Sequence, residues 1–163
     1  MDFIIRESRI EDGEEKGYVH YHAWIETYTG LIPQEFLDSR SLDKCIELAK
    51  LYHRDTLVAL VDGKVIGFAG YLDDSRDLTS IKPSSEIVAL YVLKAYQHRG
   101  IGYALMQESL NRVTKENVIL FVLEGNELAI KFYEKVGFRF TGHVIRKPIL
   151  GGVLVELEMV LNR

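Results

Sequence analysis

The chain has 163 residues, 47% of them hydrophobic, and carries 20 Lys and Arg against 24 Asp and Glu for a net charge of −4. That length suits a single domain, residues 1–163, with a substantial core, and the acidic balance excludes the basic character of a nucleic-acid binder. No apolar run reaches the roughly eighteen residues a membrane span needs, and the start Met1-Asp2-Phe3-Ile4-Ile5-Arg6 lacks the pattern of a secretory signal, so a cytoplasmic protein with no membrane partner is expected.

Residues 3–9 read as an opening strand. Residues 11–29 read as a helix, with Tyr18, Tyr21, Ile25 and Tyr28 at steps of three and four. Gly30 and Pro33 interrupt it, since neither residue favours helix continuation. A second helical region spans residues 34–52, with a break predicted near Ser39-Arg40-Ser41, where Ser41 is placed to cap the later part. Cys45, the single cysteine, falls in that pattern beside Leu42, Leu48 and Ala49 and reads as a small buried hydrophobe. Residues 56–61 and 65–72 flank Asp62-Gly63-Lys64, and Asp-Gly between two apolar runs signals a hairpin. Residues 73–84 are polar and read as a loop, with Asp73 and Asp74 as solvated charges.

Residues 86–93 are apolar on both faces after Glu86, as a covered central strand is. A helix is predicted over residues 102–113 and another apolar strand over 118–123. Residues 126–136 place Ala129, Phe132, Tyr133 and Val136 on one helical face, with Gly137 ending the helix and Phe138 folding back on it. Residues 139–144 and 153–161 read as closing strands. Strands joined directly suggest hairpins and strands joined through helices suggest crossovers, so an α/β (α+β) fold is expected: a mixed, mostly antiparallel central sheet with helices on both faces.

The most informative segment is Gln97-His98-Arg99-Gly100-Ile101-Gly102, between a strand and a helix. Two glycines let a ligand approach the backbone, the first amides of the next helix have no internal partner, and its dipole favours an anion. No Asp or Glu occurs from Ile87 through Gln107, and Lys94, His98 and Arg99 add positive charge. A phosphate-bearing ligand fits this turn. It is not a P-loop, because Tyr103 follows Gly102, and a dinucleotide fingerprint wants glycine where Leu105 stands.

With those residues in hand, a resemblance is apparent. Gln97-x-x-Gly100-x-Gly102 after Leu90-Tyr91-Val92, followed by Asn126, Ala129, Phe132, Tyr133, Glu134, Lys135, Gly137 and Phe138, resembles the two blocks of the GNAT N-acetyltransferase superfamily. The stretch Thr27-Tyr28-Thr29-Gly30-Leu31-Ile32-Pro33 is similar to the joint between the family's first helices. The resemblance implies the GNAT fold, with a sheet splayed between the strands at 86–93 and 118–123. It implies acetyl-CoA as co-substrate and transfer of the acetyl group to a primary amine by direct attack on the thioester. On it, Leu90, Tyr91 and Val92 meet the pantetheine arm, the amides of Gln97, His98, Arg99, Gly100, Ile101 and Gly102 hold the pyrophosphate, and Asn126 touches the cofactor. Val92 is also expected to offer its N–H to the developing oxyanion.

Acyl transfer to an amine needs a base, a polarised carbonyl and a proton for the leaving thiolate. On the resemblance, which places a tyrosine at this point of the last helix, Tyr133 is the expected general acid, and a phenol with a pKa of about 10 keeps its proton at neutral pH. Glu86 is the expected base, acting through a water. Trp24 and Tyr28 are expected to line the acceptor pocket. His20 and His22 have no Cys or acidic companions in a zinc pattern, so no metal is expected. Two alternatives stay open on the sequence: a non-catalytic CoA-binding sensor, and a transferase for a longer acyl chain. The resemblance implies an acceptor amine on a small molecule or peptide, and the closing strands are a possible homodimer interface.

Overall fold

The computed structural model describes residues 1–163, which run β1 (Ile4–Glu7), α1 (Gly13–Tyr28), α2 (Gln34–Asp38), α3 (Leu42–Leu51), β2 (Thr56–Val61), β3 (Lys64–Leu72), β4 (Ser85–Val92), α4 (Ile101–Arg112), β5 (Asn117–Leu123), α5 (Glu127–Val136), β6 (Arg139–Ile149) and β7 (Gly152–Asn162). Short 3-10 turns occupy Ile10–Asp12 and Lys94–Tyr96. The seven strands form one sheet in the order β1-β2-β3-β4-β5-β7-β6. The β1–β2, β2–β3, β5–β7 and β6–β7 pairs are antiparallel, and β4–β5 is parallel, registered at Ser85↔Val118 and Glu86↔Ile119. This is the mixed, mostly antiparallel sheet that the element order predicts.

Local chemistry explains most boundaries. The β2–β3 turn places Asp62 at φ 50° and Gly63 at φ 77°, the two positive values that a type I′ hairpin requires. Helix α3 starts where Ser41 accepts a hydrogen bond from the Lys44 amide at 3.2 Å. The break at Ser39 and Arg40 is complete, so the second helical region becomes two helices. Helix α5 starts at Asn126, whose side chain accepts from the Ala129 amide, and ends at Gly137 with φ 118°. The Phe138 amide then donates to the Tyr133 carbonyl at 3.0 Å, and the Phe138 ring is buried. That pairing closes the helix and fixes the direction of β6.

Two departures from the sequence reading stand out. The closing strands are longer than expected, because β6 continues past a register shift between Phe140 and Val144, with Gly142 at φ 91°, as far as Ile149. Proline at 148 belongs to β6, which ends the sheet order, and an edge is where a residue without an N–H is tolerated. The second departure is β4. Ser85, Glu86 and Ile87 are buried, yet Val88 is 40% exposed and Ala89, Leu90 and Tyr91 are only half-buried. Its later half is not the covered core strand that its apolar run predicts.

The chain divides into two compact units. The first comprises Met1–Thr27, Arg40–Tyr71 and Ala89–Arg112. Its core joins Val19 and Ala23 of α1 to Val58, Val65 and Phe68, with Leu60, Ala89, Tyr91 and Leu93 against them. Each such aliphatic side chain contributes roughly 1.5–3 kcal/mol on full burial. The second unit comprises Tyr28–Ser39, Leu72–Val88 and Val113–Arg163. Val118, Ile119 and Leu120 of β5 and Met159 and Val160 of β7 are almost wholly buried there.

Candidate active site

In the first unit, the end of β4 leads into the glycine turn. Leu93 donates its N–H to the Ile66 carbonyl at 3.0 Å, and the Lys94 amide is capped by the Glu26 carboxylate at 2.7 Å. Gly67 lies under this strand end: a Cβ there would stand 2.9 Å from the Tyr91 carbonyl oxygen, so glycine is what lets β3 and β4 come this close. Gln97 donates its side-chain amide to the Val92 carbonyl at 2.9 Å, which ties the turn back to the strand.

The turn itself carries two uncommon backbone conformations, His98 at φ 61° and Gly100 at φ 82°. Glycine adopts the second freely, and open space surrounds the position where its Cβ would be. The Gln97 amide donates to the Lys94 carbonyl at 3.2 Å and the Ala104 amide to the Gly100 carbonyl at 3.0 Å. Between these two, the amides of His98, Arg99, Gly100, Ile101, Gly102 and Tyr103 donate to no protein acceptor. Six backbone donors at the start of a twelve-residue helix make an anion cradle. Ile101 is buried and anchors the helix, while His98 and Arg99 are exposed. Of the amides expected to hold a phosphate, that of Gln97 is already engaged and those of His98 through Gly102 are not, while the Tyr103 amide is unengaged as well.

Trp24 and Tyr91 are brought together, with the indole Nε1 donating to the phenol oxygen at 3.0 Å. Arg40 stacks over the Trp24 ring, 4.0 Å from its centroid, and donates from Nη2 to the Cys45 sulfur at 3.2 Å. Nothing in the sequence singled out Arg40, because its partners are 16 positions before it and five after it. His20 lies against Phe68 and Tyr91 at ring-centroid distances of 5.6 and 5.5 Å. Burial first, then Arg40 and Lys16, pushes its pKa down to about 4, so it is neutral at pH 7.

In the second unit, Tyr133 is half-buried on α5, with ring neighbours Phe132 at 5.5 Å and Phe138 at 6.1 Å. Its carbonyl accepts the Gly137 and Phe138 amides, so the cap holds the backbone beneath the phenol. Asn126 is an N-cap, as its position before the helix predicts. Tyr28 ends α1, and its carbonyl accepts the amides of Leu31 and Ile32 at 2.9 and 3.2 Å across the turn at Gly30.

Glu86 has an environment that the sequence did not announce. It is completely buried. Arg76 donates to it from three nitrogens: from its amide to Oε1 at 3.1 Å, from Nε to both oxygens at 3.2 and 3.0 Å, and from Nη2 to Oε2. The bond to Glu86 holds the Arg76 guanidinium above its ordinary range. Arg76 sits ten residues upstream in a polar loop, and no periodicity connects it to Glu86. A second buried carboxylate, Glu158 on β7, accepts from the Ser80 amide at 2.8 Å and the Thr141 hydroxyl at 2.7 Å. Asp73 is not a free loop charge: its carboxylate accepts from the Thr114 amide at 2.6 Å and hydroxyl at 2.8 Å and is held below the usual carboxylate range by them.

Comparison with known proteins agrees with this geometry. The family model described as acetyltransferase (GNAT) family matches residues 17–138. The spermidine N(1)-acetyltransferase of Thermoplasma acidophilum is 27% identical over 151 residues, covering 85% of this chain and 89% of that protein. An N-alpha-acetyltransferase of Sulfurisphaera tokodaii is 29% identical over 148 residues, covering 85% of this chain and 81% of that one. Among solved structures, the PaiA N-acetyltransferase of Thermoplasma acidophilum in complex with coenzyme A matches with a TM-score of 0.71 and 25% identity over 100% of both chains. With the strand, glycine turn and capped helix in family order, the chain belongs to the acetyltransferase (GNAT) family and is an acetyl-CoA-dependent N-acetyltransferase.

Proposed function

We propose that residues 1–163 form one N-acetyltransferase domain that moves the acetyl group of acetyl-CoA to a primary amine by direct attack on the thioester. The observation that carries this reading is the row of six unengaged amides from His98 to Tyr103, in a turn bent by His98 and Gly100. A diphosphate supplies acceptors for such a row, and the helix start adds a favourable field worth roughly 0.3–2 kcal/mol. Leu90, Tyr91 and Val92, half-buried or at the strand end, offer their backbone to the pantetheine arm, and Asn126 is assigned to the cofactor on the family resemblance. When bound, acetyl-CoA supplies the activated acyl carbon; the Val92 N–H stabilises the oxygen that gathers charge.

Tyr133 donates the proton that the leaving thiolate takes up. Glu86 receives the amine proton through an ordered water, because it is fully buried and Arg76 already bonds both of its oxygens. Trp24, set by Tyr91 and Arg40, and Tyr28 line the acceptor side. Cys45 is buried and bonded by Arg40, which supports a mechanism without an acyl-cysteine. The names of the two relatives support an amine acceptor, on spermidine in one and on an α-amine in the other. No helix is long and apolar enough to cross a membrane, which fits our reading of a cytoplasmic enzyme. A homodimer built on the closing strands is part of the same reading.

The test is release of free CoA thiol from acetyl-CoA across a panel of primary amines. Thiol release that depends on amine and acetyl-CoA together is expected. Binding of acetyl-CoA with no amine-dependent release from any acceptor would contradict the reading.

A further inference from the structure

The second unit has one sheet face that the reaction scheme above uses only in part. Glu86 is registered opposite Ile119, and Ile119 opposite Val160. Side chains alternate along each strand, so Phe121, Glu158 and Glu156 share the side of the sheet that carries Glu86. The loop between β3 and β4 is fastened to this face at several points. Glu86 holds Arg76 and Glu158 holds Ser80. His143 Nε2 lies 3.0 Å from the Leu78 carbonyl, and Lys82 donates to the Arg76 carbonyl at 2.7 Å. Two buried carboxylates fixing one loop imply that the loop presents something whose position matters, since a carboxylate is costly to desolvate before its hydrogen bonds are counted.

What the loop presents is Arg76. Its Nε and Nη2 are committed to Glu86, while Nη1 makes no hydrogen bond and the side chain is 44% exposed. The guanidinium is thus a planar fork locked on one edge and open on the other, and that open edge suits an oxygen acceptor. The charged groups nearby leave it available: Glu156 acts on Arg76 through space, and its own ion pair runs to Lys147 at 3.7 Å.

We propose that Arg76 is a specificity-determining residue: its open edge binds a carbonyl or carboxylate oxygen beside the reacting nitrogen, so the preferred acceptor is an α-amine next to an acyl group, as at a peptide N-terminus, rather than an amine on a plain hydrocarbon chain. Glu86 is then a positioning residue for Arg76 as well as the proton acceptor through water. This rests on the reading that Glu86 serves the acceptor amine.

The experiment compares kcat/KM for glycylglycine and for n-pentylamine, at saturating acetyl-CoA, in the wild type and in Arg76→Gln and Arg76→Lys. A loss of kcat common to both acceptors is expected, because Glu86 loses a partner in each variant. The ratio of the two kcat/KM values isolates the oxygen contact. The wild-type ratio favours glycylglycine, Arg76→Gln lowers the ratio by roughly tenfold, as loss of a charge-assisted hydrogen bond does, and Arg76→Lys falls between. A wild-type preference for pentylamine, or a ratio unchanged in both variants, would overturn the proposal. Where Arg76→Gln does not fold, the ratio in Arg76→Lys decides alone. Absence of CoA release with every amine defeats the enzymatic reading instead, which keeps the two failures distinct.

Discussion

Tyr133 and Glu86 are the residues we propose for the proton transfers, and their surroundings predict different responses to mutation. Tyr133 is packed by rings on an already capped helix end, so Tyr133→Phe removes one hydroxyl and little packing. Turnover is expected to fall by roughly a hundredfold with acetyl-CoA affinity nearly unchanged; steady-state kinetics beside calorimetric binding checks this, and undiminished turnover would remove Tyr133 from the mechanism. Glu86→Gln is different in kind. It leaves Arg76 facing a neutral amide inside a buried joint, so it should lower both turnover and unfolding free energy, the latter by about 1–3 kcal/mol in urea melts. A variant as stable as wild type would mean that the pair does not support the loop. These two residues also show what was legible. Tyr133 was singled out because its neighbours in sequence define a pattern. Arg76 and Glu158 were not, because a salt bridge or a loop anchor between distant positions leaves no periodic trace. Gly67 was hidden for the same reason: its requirement comes from the Tyr91 carbonyl on another strand.

The elements were readable wherever a local rule fixes the backbone. Asp62-Gly63 needs two positive φ angles and has them, and the Asn126 and Gly137 caps bound α5 as their residue types predict. The reading failed where tertiary pairing overrides local signals. The reading ended the first closing strand at residue 144, yet β6 continues through Pro148 because β7 pairs with it up to Ile149↔Gly152. Likewise the apolar run in β4 signals burial, while Leu90 and Tyr91 keep partial access. Two of the left-handed glycines, Gly137 and Gly100, give a matched prediction. Gly137→Ala, at φ 118° and with the new Cβ 3.0 Å from a Leu161 methyl, should cost stability by about 1 kcal/mol or more without affecting CoA binding. Gly100→Ala, at φ 82° with open space around it, should cost a similar amount of strain and also weaken CoA binding, since it moves the cradle amides. Equal CoA affinities in the two variants, by calorimetry, would sever the link between that turn and the cofactor.

For the whole molecule, ligand and proton linkage give the clearest readouts. His20 has a folded pKa of about 4 against 6.5 for the free side chain, set first by burial and then by Arg40 and Lys16. Between those values the unfolded chain holds more protons at this position, so its contribution to stability is full above pH 6.5 and is lost as pH falls toward 4. Urea melts at pH 7 and pH 5 should show lower stability at the lower pH, and His20→Gln should shrink that difference; an undiminished difference would place the sensitivity elsewhere. The cofactor acts in the opposite direction, since binding only to the folded chain raises the melting temperature with acetyl-CoA concentration. The central claim, that the amides from His98 to Tyr103 grip the diphosphate, is reached most directly by following backbone 1H–15N signals of labelled protein during titration with coenzyme A. The largest shifts are predicted at His98 through Tyr103; coenzyme A bound with those signals unmoved, or not bound at all, would contradict the account.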